Sequence, residues 1–231
     1  MKLLVIIPAH NESENLPELI AQLNQLVPES KIIVVDDGST DNTITVARQL
    51  GAEVISHPYN LGYGAALETG YLYALEHDYD AVAQLDADLQ HSPQNLPQMM
   101  KVFTENSLDL LIGSRFLSPD SYRVPLGRRM VIGFLSFLTW IFTGRWITDP
   151  TSGYQMLSRR VLKVLEGNLP SDFPDADVLT GLALAGFKIS ETSVVMRERK
   201  VGQPQVRGFR ALYYLYKLPL SMFLAFLRRG M

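Results

Sequence analysis

The chain has no cysteine. That excludes a disulfide framework, cysteine-ligated zinc or iron–sulfur centres and any thiol nucleophile, and it suits a reducing compartment. Two signatures that cradle nucleotides are missing as well. No Walker lysine motif occurs, and the turn after the first apolar run reads Pro8-Ala9-His10-Asn11-Glu12, where a Gly-x-Gly-x-x-Gly fingerprint would set bare backbone against a pyrophosphate. Any nucleotide bound here must be held by side chains, with a metal ion in place of the glycine cradle. Long hydrophobic runs are scarce. The longest uncharged stretch, Met130 to Gly144, covers fifteen residues, about 22 Å as a helix and short of the ~30 Å hydrocarbon core. The apolar run after Lys2 stops at Ile7 before Pro8, so no targeting segment is expected and Met1 reads as the start of the fold.

Positive charge is scarce in one half only. Residues 1–100 carry 3 basic and 14 acidic side chains and residues 101–231 carry 18 and 10, so a net of −11 and a net of +8 are hidden in a total of −3. An acidic first half suits metal coordination, and a basic second half suits phosphates or an anionic bilayer; uneven solvated charge is the plain alternative. With 231 residues, 47% of them apolar and 19% charged, the chain can build one buried core, which excludes collagen-like, low-complexity and disordered classes.

Alternation of strand and helix patterns predicts an α/β fold. Lys2 to Pro8 reads as a strand buried on both faces, and Leu16, Leu19, Ile20, Leu23 and Leu26 recur at helical spacing, with Asn11 or Ser13 as a cap. Further strands are expected at Lys31 to Val35, Ala52 to Ser56, Asp80 to Leu85, Leu108 to Ile112, after the Asp149–Tyr154 loop, and at Ile189 to Met196. Helices are expected up to Leu50, over Gly62 to Leu75, at about Gly127 to Gly144, Arg159 to Leu165 and Ala176 to Ala185, and from Phe209 to Arg229. Such alternation implies right-handed βαβ units in a mostly parallel mixed sheet flanked by helices, with ligands at the carboxyl ends of the strands. Residues 1–208 are expected to form one catalytic unit, including the apolar helix, and residues 209–231 a C-terminal amphipathic, basic helix.

The polar clusters fall where such a sheet places its ligands. Asp86-Ala87-Asp88 with Gln90 follows a strand, and in an extended segment alternate residues would put Asp86, Asp88 and Gln90 on one side. Hard oxygen donors of this kind suit Mg2+ or Mn2+ bridging to a diphosphate. The alternative is an acidic turn after a buried strand, with His91 at the surface or behind the ligands. Gly62-x-Gly64 reads as a plain helix start.

Five ordered motifs carry a resemblance. Ile7-Pro8-Ala9-His10-Asn11-Glu12, Val35-Asp36-Asp37-Gly38-Ser39-Thr40-Asp41, Asp86-x-Asp88-x-Gln90, Gly113-Ser114-Arg115-Phe116 and Asp149-Pro150-Thr151-Ser152-Gly153-Tyr154 together resemble the family-2 glycosyltransferases, in the branch typified by dolichyl-phosphate and bacterial polyprenyl-phosphate glycosyltransferases. The resemblance spans roughly residues 3 to 205. It implies an inverting, metal-dependent transferase with a single nucleotide-sugar-binding domain of the GT-A type. It implies Pro8, Ala9, Asn11, Glu12 and Asp37 around the base and ribose of a UDP- or GDP-sugar. Asp86 falls near the ribose and the metal, with Asp88 and Gln90 as further ligands of Mg2+ or Mn2+. Arg115 faces the phosphates or the acceptor. One segment departs from the family: where Arg-x-x-Gly-x-Ser-Lys is frequent, the chain reads Arg199-Lys200-Val201-Gly202-Gln203-Pro204-Gln205.

The acceptor side separates two chemistries. A sugar hydroxyl needs a general base, whereas a lipid phosphate is already anionic and needs cations. Asp175 and Asp177, at the family's acidic position before a helix, are the candidate base, or else simple helix caps. Arg128, Arg129, Ser152 and Arg199 are candidate holders of the acceptor phosphate, or, for the arginines, solvated surface charge. Aromatic-rich runs in Met130–Gly144 and Phe209–Arg229, flanked by arginines and lysine, suggest interfacial helices resting on the cytoplasmic face of a membrane beside a polyprenyl phosphate; core packing or burial in a homo-oligomer is the alternative. A small membrane subunit is a further expected partner, and nucleic acid is not. A different class of reading is a non-catalytic nucleotide-sugar or lipid-binding partner of a membrane subunit.

Overall fold

The computed structural model describes residues 1–170, 174–198 and 209–228. In chain order the elements are β1 (Leu3–Ala9), α1 (Leu16–Leu26), β2 (Lys31–Asp36), α2 (Thr43–Gln49), β3 (Glu53–Ser56), α3 (Tyr63–Glu76), β4 (Ala81–Gln84), α4 (Leu96–Glu105), β5 (Leu110–Ser114), α5 (Leu126–Thr143), β6 (Gln155–Ser158), α6 (Arg159–Leu165), α7 (Ala176–Leu184), β7 (Ile189–Ser193) and α8 (Phe209–Arg228). The seven strands form one sheet in the order β3-β2-β1-β4-β6-β5-β7. All pairs are parallel except those of β6, which runs antiparallel to both β4 and β5. This is the mixed, mostly parallel sheet with flanking helices that the sequence predicts.

β1 shows why the sheet is a three-layer structure. All seven of its residues are buried, and the period-two alternation of a strand sends Leu3, Val5, Ile7 and Ala9 to one face and Leu4 and Ile6 to the other. Leu16, Leu19, Ile20 and Leu23 of α1 cover the first face, and Ala66, Leu67, Tyr71 and Ala74 of α3 cover the second. From β1 the chain adds β2 and β3 on one side and then returns to add β4 on the other. Such a switch point opens a crevice beyond the carboxyl ends of the strands.

The structure amends several expectations. α4 lies outside the helices the sequence predicts, although Leu96, Met99 and Phe103 mark its buried face behind Pro97. β5 begins two residues later than expected and runs to Ser114, which brings the Gly113-Ser114 pair into the strand. Neither Asn11 nor Ser13 caps α1; Asn15 occupies that position without a side-chain cap. The expected strand to Met196 ends at Ser193, with an isolated bridge between His91 and Met196 beyond it.

Away from the sheet, α5 and α8 pack with the start of α7 around a small core of their own. α5 buries Ile132, Leu135, Ser136 and Thr139, and Leu135 joins Ala176 of α7 and Leu218 and Met222 of α8 in a small core. α5 is also the one helix among the described residues long and apolar enough to cross a membrane by length and composition. Its opposite side stays exposed.

Candidate active site

On the left of the switch point, two strand ends are stitched together by side chains. The Asn11 Oδ1 accepts from the Thr40 and Asp41 amides at 2.8 and 3.3 Å, and the Asn11 amide donates to Ser39 Oγ at 2.8 Å. The Glu12 amide donates to Thr43 Oγ1 at 2.9 Å, while the Glu12 carboxylate accepts from Asn15 Nδ2 at 2.6 Å. Gly38, at φ 69°, lies under the Tyr59–Asn60 backbone, where a Cβ would come within 2.5 Å of the Tyr59 carbonyl carbon. The loop that ends β2 therefore lies flat against the segment leading into α3.

Asp37 makes that contact permanent. Its carboxylate is buried and accepts from the Leu61 and Gly62 amides at 2.8 and 2.9 Å and from His57 Nδ1 at 2.9 Å. His57 in turn meets Thr69 Oγ1 at 2.9 Å. The Asp37 amide also donates to the Ala9 carbonyl at 2.8 Å and Pro8 pairs with Val35, so Pro8, Ala9, Asn11, Glu12 and Asp37 lie along the adjoining ends of β1 and β2. Asp37, however, is already committed to the α3 entry, so a base or ribose donor would have to use its remaining lone pairs.

Beyond β4 the chain turns sharply. The extended alternation expected for Asp86, Asp88 and Gln90 is absent: β4 ends at Gln84 and residues 87–89 form a turn. Leu89 sits in the left-handed region at φ 63°, uncommon for a branched side chain, and its burial in the core holds it there. Asp88 Oδ1 accepts from the Gln90 amide at 2.9 Å. Asp86 accepts from the Tyr63 hydroxyl at 3.0 Å. Burial and the Asp86 carboxylate push the Tyr63 pKa up, and the Asp175 charge adds in the same sense. Gly153 closes the group, since a Cβ there would meet the Tyr63 oxygen at 2.8 Å.

His91 lies behind this turn. Its Nδ1 accepts from the Asp86 amide at 3.0 Å, which places the proton of the neutral ring on Nε2, and the ring stacks on Tyr154 at 5.2 Å. Burial pushes the His91 pKa down to about 4. The ring is therefore a neutral brace under the acidic turn.

The donor set of the turn fits a divalent ion. Among the described residues no group of three or more His, Cys, Asp or Glu side chains gathers as a metal cage. Two carboxylates and one amide oxygen would leave most positions of a six-coordinate Mg2+ or Mn2+ to water and diphosphate oxygens, as suits an ion shared with its substrate.

On the right of the switch point, charge is balanced internally. Arg115 Nε donates to Asp149 Oδ2 at 2.6 Å and its amide to the same oxygen at 3.2 Å. Both side chains are buried, at 5% and 0% exposed. Burial by itself would lower the Arg115 pKa, but Asp149 outweighs it and raises it. Arg128 reaches toward the same group, with Nη1 3.4 Å from the Tyr122 hydroxyl. Arg129 is exposed on the first turn of α5. Ser152 is corrected: fully buried, it donates its proton to the Gly113 carbonyl at 2.7 Å, so it joins loop to strand and keeps no proton for a phosphate. Arg199 lies outside the described residues.

Asp175 and Asp177 part company. Asp177 Oδ1 accepts from the Asp175 and Val178 amides at 3.3 and 2.9 Å, and it faces Lys217 of α8. Burial raises its pKa, which Lys217 and the amides partly offset. Asp177 is a helix-end anchor, and Asp175 is the N-cap residue of α7. Sequence reasoning missed Tyr63, His57 and Tyr122, which belong to no acidic or basic cluster, although Tyr63 stands within the Gly62-x-Gly64 pair.

Comparison with known proteins agrees with this fold. The chain is 32% identical over 218 residues to the undecaprenyl-phosphate mannosyltransferase of Micrococcus luteus, covering 90% of this chain and 88% of that one. It is 32% identical over 183 residues to the UDP-N-acetylglucosamine–dolichyl-phosphate N-acetylglucosaminyltransferase of Methanococcus voltae, covering 71% and 72%. Among solved structures it is similar to glucosyl-3-phosphoglycerate synthase of Mycobacterium tuberculosis in complex with Mn2+, UDP and glucosyl-3-phosphoglycerate, with a TM-score of 0.69 and 25% identity over 97% of this chain and 79% of that one. The sequence pattern of Glycosyl transferase family 2 matches residues 4–165, and the chain belongs to that family.

Proposed function

We propose that the protein transfers a sugar, with inversion, from a UDP- or GDP-sugar to a polyprenyl phosphate at the cytoplasmic face of a membrane. The observation that carries this reading is that the chain combines an acidic turn after β4 with an arginine-bearing helix whose outer aromatic side chains are exposed. Relatives named for undecaprenyl phosphate and dolichyl phosphate support the acceptor class, and a structural neighbour with Mn2+ and UDP supports the donor class.

In this reading Pro8, Ala9, Asn11, Glu12 and Asp37 line the nucleoside end. Asp86, Asp88 and Gln90 would hold a divalent ion, which supplies Lewis-acid stabilisation of the departing diphosphate. Tyr63 and His91 keep the Asp86–Gln90 turn in shape. A phosphate acceptor brings its own negative oxygen, so Arg115, Arg128, Arg129 and Arg199 act by positioning and charge rather than by proton removal.

The exposed faces of α5 and α8 complete the proposal. Phe134, Phe137, Trp140 and Ile141 on α5 and Tyr216, Leu220, Phe223 and Leu227 on α8 are each more than two-fifths exposed. Phe142 bridges the two helices, with ring centres 5.4 Å from Phe226 and 6.4 Å from Phe223. Arg128 and Arg129 in the first turn of α5, with the packing of its inner side on α7 and α8, favour a helix lying in the headgroup region of an anionic bilayer over one crossing it.

A second reading, transfer to a saccharide hydroxyl, draws on Asp175, whose charge acts on Tyr63, as a base. The test is transfer of labelled sugar from nucleotide donors to purified undecaprenyl phosphate with Mn2+. We expect product with the lipid phosphate alone, abolition by EDTA, and less than about a tenfold loss in Asp175→Asn. A loss of roughly 10²-fold or more in that variant, the range for a removed general base, or activity with saccharides alone, overturns the phosphate-acceptor reading.

A further inference from the structure

β7 carries an acid that none of the five motifs contains. Glu191 stands at the middle of the strand, paired with Ile112 of β5 and two residues beyond Ile189, which packs against the core. An acid on the edge strand of a sheet ordinarily points to water. This one turns inward: Oε2 accepts from the Thr148 amide at 2.7 Å, and Oε1 accepts from the Thr148 hydroxyl and the Asp149 amide, both at 2.9 Å.

These bonds fix a direction. A carboxylate has no proton to give, so the Thr148 hydroxyl donates to Glu191, and Ser114 Oγ must then donate to Thr148 Oγ1 across their 2.6 Å contact. The end of β5 is thereby tied to Thr148, and the next residue, Asp149, has its amide held and its carboxylate turned onto Arg115. Filling space is not what Glu191 contributes, because it lines an open cavity of about 360 Å³ with Arg145, Trp146, Ile147, Ile189 and Ser190. Burial raises its pKa, an electrostatic cost offset by the three donors it collects.

We propose that Glu191 is the positioning residue of the acceptor side: by anchoring Thr148 and Asp149 it sets the Asp149 carboxylate against Arg115 Nε and so aims the N–H groups of that guanidinium not taken by Asp149 and Tyr122 at the acceptor phosphate. The last step rests on the phosphate-acceptor reading above; the relay itself does not. Glu191→Gln keeps the volume, but in either orientation its amide N–H2 faces a backbone N–H, of Thr148 or of Asp149, whereas Glu191→Asp keeps the charge.

Two measurements separate the relay from the reading. In the 15N spectrum of the full chain, the buried, ion-paired Arg115 Nε–H is expected to give a slowly exchanging signal, identified by its loss in Arg115→Lys. We expect Glu191→Gln to shift or broaden it and Glu191→Asp to restore part of it. An unchanged signal in Glu191→Gln overturns the relay. In steady-state transfer to undecaprenyl phosphate we expect Glu191→Gln to raise the acceptor KM at least tenfold while the donor KM moves less than twofold. Combined with Arg115→Lys it is expected to add no further loss. Equal effects on both KM values, or additive losses, overturn the aiming role. If the wild type transfers nothing to polyprenyl phosphate, the functional reading fails and the spectrum alone decides the relay.

Discussion

The two sides of the crevice are built on opposite plans. On the β1–β2–β4 side, nearly every polar group at the strand ends is bonded to a neighbouring loop: Asn11 to Thr40 and Asp41, Asp37 to Leu61 and Gly62, Asp86 to Tyr63. Its hydrophobic side chains are enclosed in two cores. On the β5–α5–α8 side, the buried charges are also paired, yet a row of aromatic residues is left in the open. A monomer in water has no use for such a row, since contiguous apolar surface of this kind marks a site of association. The first side is finished as a rigid receptor; the second is finished only when something apolar covers it.

The largest effect is expected on the rigid side. Asp88→Asn keeps the volume and an acceptor for the Gln90 amide but removes the charge that a divalent ion needs. Lewis-acid stabilisation of a leaving group is worth several kcal/mol, so transfer should fall about 10³-fold or more, with the thermal midpoint changed by only a few degrees. Turnover near the wild-type rate would show that the turn is a structural bend and would erase the contrast between a metal-bearing and a lipid-facing side. Gly153→Ala comes next. The new Cβ must displace the Tyr63 hydroxyl, reached at 2.8 Å, and overpacking of this kind costs about 1–3 kcal/mol. A loss of roughly tenfold in transfer with weakened Mn2+ binding by calorimetry is expected, and intact binding would exclude Tyr63 as a support of Asp86.

The open side gives the third test. Phe137 and Trp140 are already 44% and 47% exposed, so replacing both with serine removes little from the fold. Burying an aromatic side chain is worth about 1.5–3 kcal/mol, and losing half of that twice should weaken sedimentation with anionic vesicles roughly tenfold or more while leaving turnover of a short, water-soluble polyprenyl phosphate intact. Unchanged vesicle binding would hand this face to a second copy of the chain or to a membrane subunit.

The same asymmetry explains what the sequence disclosed. β1, β2 and β4 are short apolar runs ending in polar clusters, and α1 and α6 repeat their buried residues at helical spacing, so both element type and the location of the crevice were legible. α4 was missed because its stripe of Leu96, Met99 and Phe103 opens on Leu96-Pro97-Gln98 behind Pro93-Gln94-Asn95, a run of prolines and amides that reads as a turn. The shape of the acidic turn was not legible: strand alternation predicts an extended Asp86–Gln90 segment, whereas the chain turns there through the left-handed Leu89, and no local pattern announces a leucine held in that conformation by its own burial. Ser152 looked like a phosphate contact because a hydroxyl in a motif loop carries no mark of being fully buried. Glu191 and Tyr63 escaped for the converse reason, since their partners lie tens of residues away in the chain.

The smallest effect concerns Asp177, where the two sides meet. Burial raises its pKa in the fold, with Lys217 and two amides only partly compensating. A carboxyl raised in the native state favours the protonated form, so its contribution to stability is fully present below the ordinary carboxylate range and is lost as the pH rises through the folded value. The carboxamide introduced by Asp177→Asn would accept from the Asp175 and Val178 amides through the same oxygen position without the charge. Thermal melts of Asp177→Asn should therefore match the wild type near about pH 3 and exceed it slightly near about pH 8, with turnover inside about twofold, as for substitutions that touch no reacting atom. A variant less stable than the wild type at the higher pH would mean that the Lys217 attraction outweighs burial, and α8 would then be clipped to α7 by charge as well as by Leu218 and Met222.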